Sequence, residues 1–241
     1  MIWEIIASFF CAMFGNCEEG ACRTVEHNGD GYIVCSYAVE KIDVRLFLND
    51  DSGQPYGRLR KVSRSLQHPA NLLMNGGMYH EDLGAVGLYV EKGNEIKGIS
   101  TKGGWGNFHL LPNGIFWGED GRLGVTETKS FIKSKMKPDF ATQSGPMLVI
   151  NGKLHPKFLK NSDSRKIRNG VGMSKDGKTV HFAISKRSVT FWNFGKLFQD
   201  ELKTHNALFL DGTVSALKTK TFSKIGWRAL GPIIGVFEKT Q

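Results

Sequence analysis

Cysteine is scarce and confined to one end of the chain: four in 241 residues, at Cys11, Cys17, Cys22 and Cys35. Their gaps lack the paired close spacing of a zinc ribbon or finger, which argues against structural zinc. A Cys22–Cys35 disulfide is expected if the chain is exported to an oxidising compartment. Long apolar runs are equally rare. The stretch Ile5–Phe14, within "MIWEIIASFFCAMFGNC", has about the length of a signal-peptide core but is too short to span a bilayer as a helix. It carries Glu4 where a basic flank belongs and shows no clean small-x-small cleavage site. A signal or anchor segment is favoured over a buried N-terminal helix or a misplaced start, which makes a periplasmic, secreted or envelope-associated protein the expectation. Membrane contact is expected only through this segment. The familiar catalytic signatures are missing too: no P-loop, no G-x-S-x-G elbow, no H-E-x-x-H helix and no G-x-G-x-x-G after a strand.

What is present is a chain able to bury a sizeable core, 40% apolar and 11% aromatic, with 29 glycines spread without a repeat. The formal charge of +9 is uneven. Residues 1–51 hold nine acidic and three basic groups, whereas 129–168 hold ten basic groups against Asp139 and Asp163. Such a segment suits an anionic partner, although charge alone favours the plainer reading of a lysine-rich solvated surface. Nucleic acid is disfavoured, since only Phe131, Phe140 and Phe158 interleave with those lysines.

From residue 32 onward the chain reads as short strands punctuated by glycine turns. Strands are expected at 44–50 and 71–74, with hairpins turning at Lys92-Gly93-Asn94, Asp120-Gly121, Asn151-Gly152 and Asp176-Gly177. One segment breaks the pattern: Phe194, Leu197, Phe198 and Leu202 recur at helical spacing before an "ALFL" strand that ends at Asp211. These features predict a sheet-rich α+β domain over 31–241 behind an N-terminal extension, 1–30.

Four glycine-bearing junctions stand beside apolar strands: "MNGGMYHEDLG" (74–84), "TQSGPMLV" (142–149), "SRKIRNGVG" (164–172) and "FLDGTVSAL" (209–217). Glycine lets backbone N–H groups approach anionic oxygens, and a polar side chain at a strand end is held more rigidly than one on a free loop. Singly, each reads as a turn. In order, "NGGMY", "QSGPMLV", "RNGVG", "LDG" with Ser215, and a closing "GPIIGV" (231–236) resemble the phosphodiester glycosidase family over roughly residues 40–237.

That resemblance implies hydrolysis of a glycosidic bond whose leaving group is a phosphate ester, with a sugar-phosphate or anionic glycan as substrate. A phosphomonoester leaves as a stabilised anion, so positive charge matters more than a protonating acid. Asp211 is the expected nucleophile or base, and Arg168 the group gripping phosphate, with Arg165 as a weaker candidate. His80 and Glu81 form a candidate acid/base pair if the loop is irregular. Backbone at Gly76, Gly77, Gly145 and Gly212, with side chains of Asn75, Gln143, Ser144 and Ser215, is expected to hold substrate oxygens. Trp105, Phe108, Phe116 and Trp117 offer either a sugar-stacking platform or core. The sequence requires no cofactor, and a divalent metal on Asp211, His80, Glu81 and Asp82 is left open. A non-catalytic glycan- or polyanion-binding module on the same fold is the alternative.

Overall fold

The computed structural model describes residues 22–211 and 214–239. Three antiparallel sheets share one interior. The largest runs, edge to edge, β1 (Cys22–His27), β2 (Asp30–Ala38), β13 (Thr179–Ser185), β12 (Asn169–Met173), β14 (Asn206–Phe209), β10 (Met147–Ile150) and β11 (Lys153–Leu154). A second follows the order β16 (Ser223–Lys224), β15 (Leu217–Thr219), β4 (Leu72–Asn75), β17 (Ile233–Glu238) and β3 (Ile42–Phe47). The third is β6 (Asn94–Lys97), β5 (Tyr89–Glu91), β9 (Phe140–Ser144), β7 (Gly114–Glu119) and β8 (Arg122–Glu127). This is the sheet-rich α+β architecture expected, and each of the four anticipated hairpins forms.

Alternation along the strands explains why both faces of each sheet are apolar. On β14, Leu208 points into the interior shared by all three sheets, and Leu210 just beyond the strand joins it, while Ala207 and Phe209 face outward. Each outward face is covered by a short helix. The first sheet takes α3 (Phe191–Lys196), which runs on into a single π-helical turn, Leu197–Glu201. Phe194, Leu197, Phe198 and Leu202 all bury against Val34, Leu148 and Phe209, as their spacing predicts. Thr190 caps this helix through Oγ1, which accepts from the N–H of Asn193 at 3.1 Å. The second sheet is covered by α1 (Leu59–Ser65), where Leu59 and Val62 meet Leu73 and Ile233. The third receives Phe131 from α2 (Thr128–Ser134) against Leu88, Ile115 and Ala141.

β1 begins at Cys22, inside the stretch set apart as an N-terminal extension, and pairs with β2 through a turn at Asn28-Gly29. Cys22 and Cys35 face each other across this hairpin and are joined by a disulfide. The expected signal or anchor stretch at 5–14 lies outside the described residues. Among the described residues, no helix is long and apolar enough to cross a membrane.

Candidate functional site

The ends of β4, β12 and β14 converge where the first sheet meets the second. β12 and β14 pair with Gly170 opposite Phe209, and the N–H of Leu210 continues the ladder to the carbonyl of Asn169. Arg168 immediately precedes β12, and Asp211 follows β14 by two residues. Asn169 then bridges the sheets. Its Nδ2 donates to the side-chain oxygen of Asn75 at 2.9 Å and to the Asn75 carbonyl at 3.1 Å, while its Oδ1 accepts from the N–H of Asp211 at 3.0 Å. Asn75 also accepts from the N–H of Ala216 at 2.8 Å, which draws the chain leaving Asp211 back alongside β4. Ser215 closes this return: its hydroxyl, with one proton to give, lies 2.6 Å from the carbonyl oxygen of Asp211 and 3.0 Å from that of Ile167. Asp211 is 8% exposed, a carboxylate at the rim of a buried amide network. Gly212 lies outside the described residues.

Two of the buried side-chain polar atoms without a hydrogen-bond partner among the described residues lie here, Asn75 Nδ2 and Arg168 Nη1; Tyr32 Oη and His155 Nε2 are the others. Such groups are rare in folded proteins and carry a desolvation cost unless something pairs with them. Arg168 is fully enclosed. Its Nε donates to the carbonyl of Val189 at 3.0 Å and its Nη2 to that of Ser164 at 3.1 Å, while the guanidinium carbon lies 3.5 Å from the centroid of the Phe191 ring. Burial lowers its pKa to about 10, which leaves it cationic at neutral pH. A grip through two nitrogens, as the sequence suggests, would combine Nη1 with the second N–H of Nη2; Nη1 is the nitrogen with no partner among the described residues.

Tyr79, the last residue of "NGGMY" and without a role assigned from sequence, lies within reach of the Asp211 charge. Its hydroxyl donates to the carbonyl of Ala229 at 2.8 Å. Burial pushes its pKa well above the usual tyrosine range, the Asp211 carboxylate pushes it further, and Arg228 pulls it back. Asn169 is the second residue passed over. Its pairing with Gly170 reads as turn chemistry in sequence, yet both residues are strand and fully buried.

The other expected site residues fall into two groups. Several hold the protein together around the site. Gln143 Oε1 accepts from the N–H groups of Leu88 and Ser100, both at 2.9 Å, and its Nε2 donates to the carbonyl of Ser100 at 2.7 Å. Ser144 donates to the carbonyl of Leu210 at 2.6 Å and so fastens β9 to the strand end before Asp211. The N–H of Gly76 donates to the carbonyl of Pro232 at 2.7 Å and that of Gly77 to Thr142 Oγ1 at 3.1 Å, so neither amide is directed at a ligand as expected. At Gly77 a side chain would strike the Gln143 carbonyl, and at Gly145 it would come within 2.6 Å of Asn113 Cβ, so close packing accounts for both glycines.

The second group is peripheral. His80 and Glu81 are exposed in the irregular turn after Tyr79, where the N–H of His80 donates to the carbonyl of Gly84. His80 and Asp82 line an open groove of about 330 Å³ with Leu48, Asn49, Ile96 and Lys97. Arg165 is exposed and pairs with Asp30 at 3.2 Å. Phe108 and Phe116 are core, Trp117 donates to Thr126 Oγ1 at 2.9 Å, and Trp105 is 99% exposed. Among the described residues, no three His, Cys, Asp or Glu side chains converge as a metal site would require.

Fold and site thus define a three-sheet α+β protein with a carboxylate, a buried arginine and an asparagine pair at a junction between sheets. The family model of the phosphodiester glycosidases matches residues 68–237, and the chain belongs to that family. The uncharacterized protein YigE of Escherichia coli K12 is 35% identical over 179 residues, which is 73% of this chain and 70% of that protein. Among solved structures, the catalytic domain of zebrafish N-acetylglucosamine-1-phosphodiester alpha-N-acetylglucosaminidase, auto-inhibited by its pro-peptide, superposes with a TM-score of 0.63. It shares 13% identity, with 91% of this chain and 82% of that one covered. A hypothetical protein from Synechocystis gives a TM-score of 0.59 at 13% identity, covering 93% of this chain and 63% of its own. At these identities the two structures establish a shared fold.

Proposed function

We propose that this protein hydrolyses sugar-phosphate diesters at the glycosidic bond, with Asp211 at the anomeric carbon. The observation that carries the reading is the placement of Asp211: a nearly buried carboxylate whose backbone is fixed by Asn169, the residue after Arg168, in a chain belonging to the phosphodiester glycosidases. With Asp211 as base, a water oxygen bonds to C1 as the bond from C1 to the phosphate oxygen breaks. The electron pair leaves with the phosphomonoester, and the water proton passes to the carboxylate. With Asp211 as nucleophile, its oxygen bonds C1 first and water releases the sugar in a second step. Arg168 supplies fixed positive charge, with Nη1 as its open donor, in a site where low polarity strengthens it. Asn75 Nδ2 is suited to a sugar hydroxyl or a phosphate oxygen.

The test is hydrolysis of a panel of N-acetylglucosamine-1-phosphodiesters and UDP-sugars by the purified protein, with Asp211→Asn alongside and with and without chelator. Turnover is expected to fall by about 10²–10⁴-fold in the variant while binding persists. Inversion at C1 would mark the base, and retention the nucleophile. Binding without turnover across the panel would instead identify a glycan-binding module on the same fold.

A further inference from the structure

Between β16 and β17 the segment 225–232 leaves the second sheet and carries side chains that the core does not use. Ile225 is 44% exposed and Trp227 79% exposed, and the Arg228 guanidinium lies 5.1 Å from the Trp227 ring centroid. A tryptophan left this open on a rigidly tied segment calls for a partner.

The segment is tied at several points, all beside the site. The Ala229 carbonyl accepts from Tyr79. Gly231 packs so closely on the Tyr79 ring that no side chain fits there. A Cβ on Gly226 would sit 3.9 Å from Val214 Cγ1, three residues beyond Asp211. Pro232 accepts the N–H of Gly76, next to Asn75. Tyr79 therefore anchors the Trp227–Arg228 lip to the loop after β4, and the charges of Asp211 and Arg228 both bear on its phenol.

We propose that Trp227 and Arg228 form the leaving-group subsite, Arg228 pairing with the phosphate and Trp227 stacking on the ring group attached to it. This rests on the phosphodiester reading above. The chemistry divides naturally between two arginines. Arg168 is enclosed, with two of its nitrogens on backbone carbonyls, and suits a fixed field. Arg228 is exposed and can present the planar fork that matches two phosphate oxygens. An indole face beside that fork favours a phosphomonoester carrying a flat-sided ring, either a pyranose or a nucleobase.

Calorimetric titration of the full chain with inorganic phosphate, glucose 6-phosphate and UMP tests the subsite without requiring turnover. At least one ring-bearing phosphate is expected to bind about 5–100-fold tighter than inorganic phosphate, the range of an aromatic stacking contact. Which one does so tells a sugar leaving group from a nucleotide. Trp227→Ala should erase that difference. Arg228→Gln should weaken all three probes, and Arg228→Lys should restore part of the loss. A difference that survives Trp227→Ala, phosphate binding indifferent to Arg228→Gln, or no binding of any probe at millimolar concentration would each overturn the subsite. Hydrolysis of diesters with unchanged KM in both variants would defeat the subsite and leave the hydrolase reading intact. The expected binding pattern without hydrolysis would do the reverse.

Discussion

The side chain of Asn169 reaches both the backbone and the side-chain oxygen of Asn75, at 3.1 and 2.9 Å, across the boundary between two sheets. Both residues are fully buried, so this pair is a polar bolt within an otherwise apolar seam. Its other end holds the N–H of Asp211. Removing it leaves several buried polar groups without partners at once. Asn169→Ala is expected to lower stability by about 2–4 kcal/mol in urea denaturation and to reduce turnover beyond what the stability loss explains.

Gln143 is expected to act on stability and not on substrate. Its amide satisfies two backbone N–H groups and one carbonyl, and it locks Ser100 beside Leu88. Gln143→Ala should cost about 2–4 kcal/mol by the same argument, while KM in the folded fraction stays near its original value. A raised KM with unaltered melting would show instead that Gln143 contacts the substrate.

Acid should destabilise the fold through two histidines. Burial holds His155 and His181 at about 4, below the ordinary value of 6.5; a backbone contact at Leu111 partly offsets this for His155, and Arg23 lowers His181 further. The unfolded chain therefore binds more protons between these limits. The stabilising contribution is complete above pH 6.5 and is lost as pH falls toward 4, by up to about 3 kcal/mol for each group. Urea midpoints measured from pH 7 to pH 4 should show the slope, and His155→Gln should remove roughly half of it.

The Cys22–Cys35 disulfide closes a separation of 13 residues. Chain entropy gives such a loop about 3 kcal/mol of stabilisation. Cys35→Ser or reduction should lower the urea midpoint accordingly, and because the hairpin lies on the far side of β13 and β12 from β14, KM should not change.

How much of this was legible follows from where the specifying interactions lie. Hairpins at Asp120-Gly121, Asn151-Gly152 and Asp176-Gly177 are local events, written in adjacent residues, and they read correctly. So does the apolar face of Phe194, Leu197, Phe198 and Leu202. The hairpin at Asn28-Gly29 carried the same local signal and went unread, because the N-terminal stretch looked like an extension. The helices α1 and α2 are a single turn or two, with Leu59 and Val62, or Phe131 alone, as buried anchors, too few to set up a period. Asn169 illustrates the deeper limit. An Asn-Gly pair means a turn unless a partner 94 residues away in sequence takes the amide, and that distance is invisible to any local reading. Gln143 and Ser144 belong to a motif that marks the family, but their side chains serve packing and strand anchoring. Sheet order, which brings the ends of β4, β12 and β14 together, depends on those same distant pairings.

The site is built from two kinds of material, and they can change independently. Its floor, Asn75, Asn169 and Asp211, is set by strand ends whose positions are shared with the core, so alteration there disturbs the whole fold. Its lip, 225–229, is exposed and meets the floor's surroundings through Tyr79 and Val214, whereas Leu230 beyond it is buried beside Leu59 and Leu73. Under the proposed function, a lineage could exchange residues 225–229, by insertion or recombination, and acquire a new leaving-group preference while the strand ends around Asp211 stay as they are. Grafting the corresponding segment from a relative onto this scaffold would be the natural way to reprogram it.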